Sequence, residues 1–180
     1  MSTGHTTATA LRDLLRDGFG RIAAGVGSVC EGLTVEQATY RPDPEANTIA
    51  WLVWHLTRIQ DDHVAGLAGT EQVWTGNGWY DRFGLPFDSS THGYGQTSDD
   101  VAQVRVDPVD LTAYHADVHA ASLAYVDRID AAELGRVVDD AWDPPVTAAV
   151  RMVSLTGDAM QHLGQAAYVR GLAERSQAVR

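Results

Sequence analysis

Asp158 and His162 stand four residues apart in the run GDAMQHLGQAAYVRGL. On a helix that spacing puts both side chains on one face, with Cβ atoms about 5–6 Å apart. Leu155, Val169 and Leu172 share the face, so a carboxylate and an imidazole point where apolar residues point. A lone buried carboxylate is costly unless something pairs with it. A metal ion is one such partner, and Arg151, two turns upstream on the same stripe, is another. His55, in the run WLVWHLTRI, is the natural third member, beside Trp51 and in line with Asp62 about two turns later. Two imidazoles and one carboxylate suit zinc, nickel or non-haem iron, with positions left for water or substrate. The same side chains also suit a metal-free His–Asp–His or Arg–Asp hydrogen-bond network, and spacing alone leaves both readings open.

Other candidates compete less well. His115 and His119 form a His-x-x-x-His pair, formally as good a chelate, but they fall at the edge of their helix's apolar stripe near Asp117, as a surface pair does. His63 points to the middle of an apolar arc and reads as a core histidine. His92 sits in a long aromatic loop from which it could reach a site mouth, and His5 is expected in a disordered start. Cys30 has no flanking base, and Ser122 and Ser154 lie in helical segments without a strand–turn–helix elbow. No glycine-rich phosphate loop is present. Nucleophilic catalysis by a protein side chain is therefore not expected.

Four segments with helical periodicity must position these residues. They run from about Thr7 to Glu31, from Thr48 to Ala68 after Asn47 as the expected N-cap, from Val109 to Ile129 after Asp107-Pro108, and from Asp143-Pro144-Pro145 to about Glu174. The second is apolar around most of its circumference, as a central helix should be. Gly18, Gly25 and Gly32 recur every seven residues in the first segment, and Gly157, Gly164 and Gly171 do so in the fourth. Each costs a helix roughly 0.5–1 kcal/mol relative to Ala, so the repeat predicts close packing between the first and last helices. About forty residues, Gly69 to Pro108, join the second helix to the third and carry Trp74, Trp79, Tyr80, Phe83, Phe87 and Tyr94. A connection this long can cross a bundle and join parallel helices, its aromatics packing over one end and walling a pocket.

The chain has 180 residues, 44% of them apolar, and reads as one all-α domain spanning 1–180, a four-helix bundle with a long crossover. Its formal net charge of −11 disfavours nucleic acid and anionic membranes as partners and leaves a small-molecule substrate, with a homodimer left open. No signal-peptide pattern, no transmembrane run and a single cysteine predict a cytoplasmic address. All thirteen basic residues are Arg, as in proteins from GC-rich genomes.

The segment NTIAWLVWHLTRIQDDHV, followed about a hundred residues later by GDAMQHLGQAAYVRGL, resembles the DinB/YfiT-like superfamily of metal-binding four-helix proteins. The likeness spans nearly the whole chain. It implies an up-down-down-up bundle, with the first and last helices expected to pack antiparallel, and one divalent ion held by a His on the second helix and a His-x-x-x-His pair on the fourth. His55 and His162 match two of those positions, while Asp158 stands where His is usual. That substitution resembles the branch containing mycothiol-dependent maleylpyruvate isomerase. The isomerase's further C-terminal domain has no counterpart here, so isomerase activity is not expected to carry over. The resemblance implies a metal-dependent transferase using a low-molecular-weight thiol, mycothiol if the host is an actinobacterium, with His55, Asp158 and His162 as metal ligands and a detoxifying role. Zn²⁺ suits the site first, with Ni²⁺ or Fe²⁺ as alternatives. Gln165, which also matches the family pattern, and Arg82 are candidate cofactor-binding residues, and Arg82 and Arg151 are candidate anchors for an acidic substrate group. A metal-dependent hydrolase and a non-enzymatic metal-binding stress protein are the alternative readings.

Overall fold

The computed structural model describes residues 3–178, with side chains described for residues 7–176. Four long helices carry the core: α1 (Thr3–Cys30), α3 (Ile49–Ala68), α7 (Pro108–Val126) and α9 (Ala148–Ala178). Short elements join them: α2 (Val35–Ala38), α4 (Val73–Gly76), α5 (Trp79–Phe83), α6 (Ser98–Gln103), α8 (Ala131–Gly135), and strands β1 (Val137–Asp139) and β2 (Val146–Thr147). The chain is thus mostly helical, and no helix among the described residues is long and apolar enough to cross a membrane. Helix α1 starts at Thr3, earlier than the pattern predicts, and the side chain of His5 lies outside the described residues.

Local chemistry sets the helix ends. Thr48, rather than Asn47, caps α3: its hydroxyl accepts from the Trp51 amide, and Gly69 closes the helix in the left-handed conformation at φ 68°. Asp107 caps α7 by accepting from the Val109 amide, with Pro108 in the first turn, where its missing N–H costs nothing. Helix α9 starts later than the Pro144-Pro145 signal suggests, because Val146 and Thr147 pair antiparallel with Val137 and Asp139 in a small hairpin. Both residues are β-branched and favour that extended conformation.

Fifteen side chains of α3 are buried, which makes it the central helix that its composition predicts. Phe19, Ile22 and Val26 of α1, Leu52 and Leu56 of α3, Leu111 and Val118 of α7, and Met152, Leu155 and Ala159 of α9 build the common core. Contacts fix the helix directions in pairs. Arg12 of α1 donates to the Ile129 carbonyl and Arg16 pairs with Asp127, both just past α7, so positions on the two helices run in opposite senses. Thr57 meets His115 and Gln60 meets Ser122, so α3 and α7 advance together.

The glycine argument holds at one position. A Cβ on Gly25 would overlap the Leu163 Cδ2 at 2.3 Å, so α1 and α9 are close neighbours there. Gly18, Gly157 and Gly164 meet nothing within 4 Å, and Gly32 lies beyond α1 at φ 70°. Arg170 also donates to the Ser28 and Val29 carbonyls, satisfying the end of α1. Contacts 25–163 and 29–170 advance in the same sense, so these helices run parallel, which corrects the antiparallel expectation.

The crossover is anchored by polar groups. The fully buried Arg58 donates to the Thr91 and Ser89 carbonyls and to Gln72, and lies over the Trp74 ring. Asp61 accepts from the Val73 and Trp74 amides at the start of α4 and from the Tyr114 hydroxyl. Burial pushes the Asp61 carboxyl above its ordinary pKa, and the two amides work against that rise. Trp74, Trp79 and Phe83 pack with Tyr114, and Tyr94 is exposed. The aromatics therefore clad α7 and α3, and the loop wall of the site comes from elsewhere.

Candidate metal centre

His55, Asp158 and His162 converge in the groove between α3 and α9. One ligand atom from each lies within 4.8 Å of the others, and no other such cluster of three His, Cys, Asp or Glu occurs among the described residues. The His162 Nε2 is 3.5 Å from the Asp158 Oδ1, the contact predicted by their four-residue spacing. The His55 ring meets His162 edge-on with centroids 4.7 Å apart.

His55 is fixed from three sides. Trp51, one turn earlier, stacks on it at 4.7 Å and 13°. The Trp51 indole N–H is in turn held at 2.6 Å by the Gln96 amide oxygen. The His55 Nδ1–H donates to the His92 carbonyl at 2.5 Å, which leaves Nε2 as the free lone pair. Gly93 follows at φ 102°, and a Cβ there would meet the His55 Nδ1 at 2.5 Å. Only glycine lets the backbone approach the ring this closely. Burial pushes the His55 imidazole below its ordinary pKa, with the His92 carbonyl opposing, so the neutral, metal-binding form is favoured.

On α9, the His162 Nδ1–H donates to the Gln165 Oε1 at 3.2 Å and Nε2 faces Asp158. The Asp158 side chain is 41% exposed, yet its Oδ2 is sequestered with no hydrogen-bond partner. A sequestered carboxylate oxygen without a donor calls for a cation. Two imidazoles and a carboxyl group match the donor set of an open zinc-type site, so the residues fit a divalent ion. Bonds of about 2 Å require the three donors to draw slightly closer, within reach of small side-chain rotations.

The other sequence candidates go elsewhere. Arg82 forms an ion pair with Asp110 and lies over the Trp79 ring, away from the three donors. Arg151 reaches Asp139 at 3.3 Å instead of Asp158. His63 is no core histidine: its side chain is 27% exposed and 3.6 Å from Asp62. His115 is no surface residue: it is 2% exposed, with Nδ1 at 3.1 Å from the Thr57 hydroxyl. Asp117, which suggested a surface, accepts from Asn77 and Trp79 of the crossover. Sequence reasoning missed the His92 carbonyl and Gly93, although the Gly93 and Gly95 pair in HGYG is the local sign of unusual backbone.

A solved structure, the conserved protein of locus from Enterococcus faecalis, superposes with a TM-score of 0.84 at 31% identity, covering 89% of this chain and 95% of that one. No curated protein matches the chain. The family model for mycothiol-S-transferase matches residues 11–174, which takes in α3 and α7, most of α1 and α9, and every donor. The chain belongs to the mycothiol-S-transferase family, a DinB/YfiT-like family.

Proposed function

We propose that this protein transfers a low-molecular-weight thiol, mycothiol, to a small electrophile at a divalent metal site formed by His55, Asp158 and His162. The observation that carries the reading is the convergence of those three donors, from two helices, in a chain of this family. We also read the long helices as an up-down-down-up bundle, which the parallel α1/α9 and α3/α7 contacts support. Zinc is the first choice of ion, and a detoxifying role in an actinobacterial cytoplasm belongs to the same proposal.

A divalent ion at such a site lowers the pKa of a thiol and makes a thiolate available near neutral pH without a protein cysteine. The protein's own residues provide position and a dry wall. Trp51, the His92 carbonyl and Gly93 hold the His55 ring in one orientation, and Gln165 does the same for His162. The half-exposed Asp158 marks the open side, from which both reactants enter. In the transfer, a sulfur–carbon bond forms as the carbon–leaving-group bond breaks, the leaving group departs with its electron pair, and the thiol proton passes to solvent. Cys30 takes no part: it is buried, and burial raises its thiol pKa.

The test is metal analysis of protein purified without added metal, followed by consumption of mycothiol with monobromobimane. About one divalent ion per chain and metal-dependent loss of thiol are expected. Thiol-independent ester or amide cleavage would replace the reading with hydrolysis, and bound metal with neither activity would replace it with a binding role.

A further inference from the structure

The groove between α3 and α9 continues past the three donors. His63 stands eight residues after His55 on α3, and Arg151 stands seven residues before Asp158 on α9. At about 1.5 Å of rise per residue, both lie roughly 10–12 Å along the groove from the cluster. There they line a cleft of about 290 Å³ with Asp62, Arg136, Leu67 and Val138. Cleft and cluster lie along the same two helices, with His63 and His55 on α3 and Arg151, Asp158 and His162 on α9.

The lining is polar without being cationic. Arg151 is matched by Asp139 and Arg136 by Glu133, and Asp62 adds a further carboxylate. An acidic group therefore finds no surplus positive charge, which argues against Arg151 as an anchor for one. What the cleft offers is donors and acceptors side by side: guanidinium N–H groups, an imidazole and the Asp62 carboxylate, beside apolar Leu67 and Val138. A ring bearing several hydroxyls, each both donor and acceptor, has the complementary pattern.

We propose that the cleft lined by Asp62, His63, Arg136 and Arg151 binds the polyhydroxylated end of the thiol whose sulfur lies at the three donors. The inference rests on the thiol-transfer reading above. Mycothiol carries its N-acetylcysteinyl sulfur on an uncharged glucosaminyl-inositol, and in extended form the sulfur lies about 10 Å from the inositol ring. That span matches the separation of cluster and cleft.

Two measurements test it. Calorimetric titration of the protein with N-acetylglucosaminyl-inositol, which has no sulfur and keeps the amine acylated and uncharged, reads the cleft alone. Saturable binding is expected, weakened at least about tenfold in both His63→Ala and Arg151→Met. No saturable binding, or unchanged binding in the two variants, overturns the proposal. If Arg151→Met misfolds, His63→Ala carries the test by itself. The second measurement compares zinc-loaded protein on mycothiol and N-acetylcysteine, each with monobromobimane. The variants should raise KM for mycothiol about tenfold while leaving kcat and the rate with N-acetylcysteine unchanged. An equal loss on both thiols overturns the proposal. If the polyol binds but neither thiol is consumed faster than without protein, the transfer reading falls and the cleft assignment stands.

Discussion

Two helices each present a metal-ligand pair at four-residue spacing, and their fates differ. On α9, Asp158 and His162 face a third donor, His55, across the α3 groove. On α7, His115 faces a hydroxyl, Thr57, and the pair it forms with His119 belongs to no cluster of three among the described residues. The Thr57 hydroxyl already donates to the Val53 carbonyl, so the His115 Nδ1 must donate to Thr57, which leaves its Nε2 as a buried lone pair without a partner. Both pairs therefore contain sequestered, unpaired atoms, Asp158 Oδ2 in one and His115 Nε2 and His119 Nδ1 in the other. Only the α9 pair combines a third donor with an open side. Spacing along one helix is thus a poor guide to a site, and what the neighbouring helix brings decides it.

The largest effect should come from removing a donor. His162→Ala is expected to weaken zinc binding by more than about 100-fold, read by competition with a chelating dye, because it exceeds the 10–100-fold loss usual for groups that only orient a ligand. His115→Ala should leave that affinity unchanged; an equal loss in both variants would erase the distinction between the two pairs.

Gly93→Ala follows. Its Cβ would sit 2.5 Å from the His55 Nδ1 on backbone at φ 102°, so the ring or the loop must move. Zinc affinity should fall about 10–100-fold with the fold retained, as judged by circular dichroism. Unchanged affinity would mean that the loop does not orient His55.

The α7 pair should instead report on stability. Burial, with His119 adding to it, lowers the His115 pKa from 6.5 to about 3. Between those values the unfolded chain binds the proton and the folded chain does not. Stability from this group is therefore complete above pH 6.5 and is lost as pH falls toward 3, with a slope of up to about 1.4 kcal/mol per pH unit. Urea denaturation in the presence of chelator should show a flatter acid limb for His115→Leu, and a change within about 1 kcal/mol at neutral pH. An unaltered acid limb would contradict the neutral, buried assignment.

Gln165→Ala is the smallest change. Its side chain holds His162 from an exposed position, so zinc affinity should fall only a few-fold, below the effect of Gly93→Ala. A loss as large as that of His162→Ala would make Gln165 a ligand rather than an orienting group.

Much was legible in the residues alone because helix periodicity is local. The apolar circumference of α3, the 158/162 pair and the long crossover follow from spacing within one segment. His55, beside Trp51 on the central helix, is legible as their third member in the same way, and the resemblance then implies a metal ion as the partner of all three. His63 and His115 were assigned in reverse, one to the core and one to the surface. A helical arc shows which side of a helix is apolar, and it does not show what the partner helix or the crossover places against its edges.

The sequence by itself determined the four amphipathic segments, the paired carboxylate and imidazole on the last of them, and the acidic surface. These depend on 3.6-residue periodicity and composition, which need no partner. Only the tertiary structure decided that α1 and α9 run parallel through Gly25 and Leu163, that the His92 carbonyl orients His55, and that Arg58 and Asp61 secure the loop that supplies it. Those outcomes depend on contacts between residues far apart in the chain. Their geometry is set by how buried polar groups find partners when the helices close on one another.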